Sequence, residues 1–114
     1  MQHDELRHVP LTEATFLILA SLTTPKHGYA IMQDVSVWSE GKTKLGPGTL
    51  YGALTKLLEQ RLIERAGESG SGDERRKQYA LTPLGRRVVE AECERLESAA
   101  RLGRRLLDGK DGIR

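Results

Sequence analysis

Apolar residues fall along this chain in four blocks with helical spacing and two short blocks of strand length. The first block, "ATFLILASL" from Ala14 to Leu22, is apolar nearly all round, the pattern of an enclosed helix. Thr12 precedes it as an N-cap, and Glu13 favours the positive end of the helix dipole. Pro25 and Gly28 in "TTPKHG" interrupt it. In "YAIMQDVSVW", Ile31, Val35 and Trp38 stand at i, i+4 and i+7, which predicts a second helix with Trp38 on its buried stripe. Ser39 to Gly48 is a polar, glycine-marked connection. A third helix is predicted from about Pro47 to Gln60, with Leu50, Leu54, Leu57 and Leu58 on its apolar side.

Two extended segments follow, 62–66 and 78–81, on either side of "GESGSGDERRK". A glycine- and serine-rich tip between short extended runs predicts a long β-hairpin. Thr82 and Pro83 then restart a helix as N-cap and first residue, and the pattern runs to about Leu107 before "DGKDGIR". The predicted fold is mainly α with a small β-hairpin, a winged helix-turn-helix extended by a long C-terminal helix. The expected organisation is a flexible tail over 1–10, a winged helix domain over 11–82, a C-terminal dimerisation helix over 83–108 and a frayed tail over 109–114. A chain of 114 residues fits one such domain.

The third helix opens with "GPGTLYGAL". Glycine in a helix costs about 1 kcal/mol relative to alanine, so Gly46, Gly48 and Gly52 call for another reason. A helix entering the DNA major groove needs small residues at its leading end, where free N–H groups also attract phosphate. Thr49, Tyr51, Gly52, Thr55, Lys56 and Glu59 are expected on the side opposite the leucines, with Tyr51 and Thr55 presenting hydroxyls together. The competing reading is a plain turn around Pro47, with Gly52 allowing close helix packing.

Charge bears on that choice. The formal net charge is only +2, yet residues 42–87 hold ten basic and five acidic side chains, leaving −3 for the rest. A basic middle between acidic flanks points to a local polyanion contact or, equally, to a solvated charged face.

Four segments, "LTEATFLILASL", "TPKHGYAIMQDV", "GPGTLYGALTKLLEQRLIE" and "RRKQYALTPLGRRVVE", resemble the PadR family of bacterial transcriptional regulators in order and spacing across residues 11 to 90. The length is similar to that of the short subfamily, which ends in a single dimerisation helix. The chain departs from the family pattern at Arg61, where glycine is usual, and at Gly52, where proline is common. The resemblance implies a repressor that binds double-stranded DNA as a homodimer and is released by a small hydrophobic effector. The DNA-binding residues expected are Lys42, Lys44, Gly48, Thr49, Tyr51, Gly52, Thr55 and Lys56, joined by a cationic wing of Arg75, Arg76 and Lys77. Heptad seams on the last helix, Val89, Leu96, Gly103 and Cys93, Ala100, Leu107, with Val88, Ala99 and Leu106 beside them, predict the dimer contact.

Trp38 is either a core tryptophan or a wall of the effector cavity. Cys93 fits a silent place in the seam better than a redox role. His3, His8 and His27 lack metal-ligand spacing with Cys93, so no metal and no cofactor is expected. No apolar run approaches the roughly 20 residues of a membrane span, and "MQHDELRHVP" lacks the apolar core of a signal peptide, so a cytoplasmic protein is expected. Catalysis would need a nucleophile or convergent titratable groups; no carboxylate pair, serine elbow or phosphate loop stands out. The remaining rival is a winged helix that binds proteins and not DNA.

Overall fold

The structure, a computed structural model, describes residues 4–67 and 77–109. Four α-helices carry the chain: α1 (Glu13–Ser21), α2 (Gly28–Trp38), α3 (Pro47–Glu59) and α4 (Pro83–Asp108). Three short strands accompany them, β1 (Lys26–His27), β2 (Ile63–Arg65) and β3 (Gln78–Leu81). The strands form one antiparallel sheet in the order β1-β3-β2. In β2 and β3, Ile63 pairs with Leu81 and Arg65 with Tyr79, which makes the two arms of the expected hairpin.

The sheet has one strand more than the hairpin reading predicted. Lys26 and His27 pair with Tyr79 and Gln78 across the far side of β3. Two residues beside Pro25 carry no alternating pattern, so this strand has no local signature; the open edge of β3 creates it. The His27 imidazole reinforces the pairing by donating from Nδ1 to the Lys77 carbonyl at 3.2 Å.

The core gathers Ile18, Leu19 and Leu22 of α1, Ile31 and Val35 of α2, and Leu50, Leu54 and Leu57 of α3. Leu62, Ile63 and Tyr79 close it from the sheet, and Val88 from α4. Val88 therefore belongs to the chain's own core and not to the outward seam. α1 is less enclosed than its composition suggests. Phe16 and Leu17 are only half-buried, because they line an open cleft towards α4 with Leu11 and Leu96.

Trp38 also departs from expectation. It lies in the last turn of α2 and is 52% exposed, beyond the reach of the core. The Lys26 ammonium sits 5.3 Å from its ring centroid and pairs with Asp34, so the ring shields an ion pair that joins β1 to α2. Within the segment expected as a loose tail, the described residues are folded onto the domain. Asp4–His8 forms a 3-10 turn, held to α4 by a Glu5–Arg87 ion pair of 3.5 Å, while Val9 and Leu11 pack against the core.

α3 ends where Arg61 turns left-handed, with φ of +63°. Arg61 N–H bonds to the Leu58 carbonyl and Leu62 N–H to that of Leu57, both at 3.0 Å. This is the Schellman arrangement that glycine normally serves. An arginine there carries about 1–2 kcal/mol of left-handed strain. Thr82 gathers the chain at this point. Its N–H bonds to the Leu62 carbonyl at 3.1 Å, its hydroxyl donates to the Arg61 carbonyl at 2.7 Å, and its oxygen accepts Gly85 N–H as the cap of α4. Gly85 must be glycine: a Cβ there would stand 2.0 Å from the Leu62 carbonyl oxygen.

Candidate nucleic-acid interface

The N-termini of the helices differ in how they are closed. Thr12 caps α1 and Thr82 caps α4 through their side chains. α2 and α3 begin at His27 and Gly46 with no side-chain cap. In α3 the first intrahelical bond of this turn runs from Leu50 N–H to the Gly46 carbonyl, and Pro47 has no N–H. The amides of Gly48 and Thr49 are then among the orphan donors of the helix start, and both residues are exposed. Such amides, aligned with the helix dipole, are suited to phosphate.

The glycines of α3 are not there for internal packing. A Cβ built on Gly46, Gly48 or Gly52 meets no atom within 4 Å, and none of the three has positive φ. Among the described residues, neither a close neighbour nor an unusual backbone demands glycine at these places. That removes the packing reading of Gly52 and leaves a bare helix face along which Gly48, Gly52 and Thr55 are exposed.

The hydroxyls are less free than the sequence implies. Tyr51 is half-buried, and its ring lies across Gly28, where a Cβ would come within 2.6 Å of the phenol oxygen. The phenol therefore sits at the start of α2 and not beside Thr55. Thr55 itself donates its hydroxyl proton to the Tyr51 carbonyl at 2.9 Å, which leaves its oxygen as an acceptor. Lys42, Lys44 and Lys56 are exposed. Lys77 is half-buried at the start of β3. Arg75 and Arg76, the other expected wing cations, lie outside the described residues.

Tyr29 escaped the sequence reading. It is 63% exposed in the uncapped first turn of α2, and its place just after His27-Gly28 was the available signal. Among the described residues no group of three metal-ligating side chains occurs, and no helix is long and apolar enough to cross a membrane.

The second surface of interest is α4. Its first turns lie on the domain, with Val89 and Cys93 half-buried. Glu92 is 1% exposed; it accepts from Arg95 Nε at 3.0 Å and Nη2 at 2.7 Å, and from the Leu11 backbone N–H. The Arg95 hydrogen bonds hold its carboxyl below the usual range, against the opposing effect of burial. Further on, Leu96, Leu102, Leu106 and Leu107 are exposed, Leu107 to 89%. Ala99 and Ala100 are exposed between them and Gly103 is half-buried.

Residues 17–91 match the model of the transcriptional regulator PadR-like family. The chain belongs to the PadR-like family. Family members are transcriptional regulators and not enzymes. A PadR family transcription regulator from Clostridium difficile has a similar structure, with a TM-score of 0.64 at 27% identity over 84% of this chain and 99% of that one. A transcriptional regulator from Clostridium thermocellum gives 0.65 at 25% identity over 80% and 89%. An uncharacterized 37.1 kDa protein in a Streptomyces fradiae transposon is 37% identical over 97 residues, 84% of this chain. The chain spans 26% of that relative's length. The PadR-like match thus runs from the middle of α1 to the first turns of α4, the part that holds the bare face of α3.

Proposed function

We propose that this PadR-like regulator is a cytoplasmic repressor that binds a pseudo-palindromic operator as a homodimer. The observation that carries the reading is the open glycine face of α3, which meets no other part of the described residues and fits the approach of a duplex. Gly48, Thr49, Gly52 and Thr55 meet the major groove, while Lys42, Lys44, Lys56 and the Arg75, Arg76 and Lys77 wing contact the phosphates. The phenol of Tyr51 acts from the start of α2 and not from the groove. Leu96, Ala100, Gly103 and Leu107 join two copies, with Val89 and Cys93 at the domain end of the seam. The leucines left bare on α4 support this, since burying each contributes about 1.5–3 kcal/mol.

A small hydrophobic effector releases the operator by changing the angle between the two DNA-binding domains of the dimer. The cleft of about 330 Å³ that Leu11, Phe16, Leu17 and Leu96 line together with Glu13, Glu92 and Arg95 supports this reading better than the outward-facing Trp38. Selection of bound sites from a random duplex pool tests the whole. The expected product is an inverted repeat with half-sites about 34 Å apart, one helical turn. A pool with no enrichment, together with no salt-dependent affinity for duplex, would leave the protein-binding reading in its place.

A further inference from the structure

A cleft of about 280 Å³ opens between the N-terminal arm and the flank of α3. Arg7, His8, Thr12 and Thr15 stand on one wall, and Lys56 and Gln60 on the other. No carboxylate lines it. Arg7 and Lys56 bring two cations to it, and Thr15 and Gln60 add hydrogen-bond donors beside them. The Thr12 hydroxyl donates to that of Thr15 at 3.0 Å, so the Thr15 proton is left over. Arg7 has only a marginal 4.0 Å contact with Asp4. Among the described residues Lys56 has no ion pair, and the Gln60 amide has no hydrogen bond.

Two cations in one cleft with no carboxylate of the described residues beside them favour an anion. The location identifies which one. Successive α3 residues are 100° apart, which puts Lys56 and Gln60 on the edge of the bare face, on the side of α1. When an α-helix occupies the major groove, about 12 Å wide, its flanks run along the phosphates that border the groove. The cleft lies on that flank, along the C-terminal half of the helix.

We propose that this cleft receives a backbone phosphate of the bound duplex, so that Arg7, Thr15, Lys56 and Gln60 form a clamp on the side of α3 opposite α2. It deepens the DNA-binding reading and rests on it. The ordered 3-10 turn has a purpose in this arrangement: anchored by Glu5 to Arg87, it holds Arg7 against α3 and spares the duplex the entropy of ordering a tail.

Arg7 suits the test because its side chain is 78% exposed, so Arg7→Ala leaves the fold intact. On the selected operator, Arg7→Ala is expected to weaken binding several-fold and to reduce the slope of log K against log salt by about 0.9. Ethylation interference is expected to reveal one phosphate per half-site that matters to the wild type and not to the variant. Wild-type binding with an unchanged Arg7→Ala slope and pattern overturns the clamp and leaves the DNA reading standing. Absence of wild-type binding overturns both. A third arm titrates inorganic phosphate, without DNA, at constant ionic strength. If it saturates the wild type and not Arg7→Ala while the operator slope stays unchanged, the cleft is a free-anion site and the strand assignment is wrong.

Discussion

Gly52→Ala sets stability and DNA binding against each other. Gly52 lies inside α3 with ordinary helical φ, and an added methyl meets nothing within 4 Å. The substitution therefore costs no strain, and it removes conformational freedom from the unfolded chain. An exposed helical position of this kind is stabilised by about 0.5–1 kcal/mol on going from glycine to alanine. For a domain of this size that raises Tm by about 2–8 °C. On DNA the sign reverses. In the proposed complex the methyl stands where the helix backbone approaches the bases, and losing one good base contact costs about 1–3 kcal/mol, about 5- to 150-fold in Kd. Urea unfolding gives the first quantity, and fluorescence anisotropy on the selected operator gives the second. A variant that is more stable and binds equally well would refute the claim that the bare face is kept for a duplex. A less stable variant would refute the claim that the face is bare.

Gly85→Ala is expected to act in the opposite sense, because its methyl would strike a backbone carbonyl that cannot swing away. Overpacking of about 1–3 kcal/mol, with about 1 kcal/mol more for the strained Thr82 cap, should lower the urea midpoint clearly; an unchanged midpoint would show that α4 shifts freely. Arg61→Gly is expected to relieve a left-handed arginine and stabilise the protein by roughly 0.5–1 kcal/mol, seen as a higher Tm. The Glu92 carboxyl is held below its ordinary pKa in the folded state. Its contribution to stability is complete above the unfolded value of about 4.3 and is lost as pH falls through the lower folded value. Urea midpoints measured from pH 6 down to pH 3 should therefore fall more steeply for the wild type than for Glu92→Gln, and parallel curves would contradict this.

Local patterns and long-range contacts were not equally legible in the sequence. The leucine spacing of α3, the caps Thr12 and Thr82 and the prolines at the starts of α3 and α4 act within one turn, and all are found where the pattern puts them. Trp38 fits the same spacing rule and yet lies outside, because periodicity locates a stripe without saying where the core stops. Tyr51 reaches Gly28 and β1 reaches β3 across the fold, so no run of neighbouring residues signals either. Gly85 reads as an ordinary helical residue until the Leu62 carbonyl is seen beneath it.

The triple engagement of Thr82, with the Arg61 and Leu62 carbonyls and the Gly85 amide, makes a welded joint out of what would otherwise be a hinge. α3 ends and α4 begins within that joint, so neither can swing without carrying the other. Whatever tilts α4, a bound molecule or a second copy, moves α3 bodily as the short arm of a lever. For the proposed repressor, a signal would then travel through stiffness, and loosening Thr82 would sever it before it unfolded the protein.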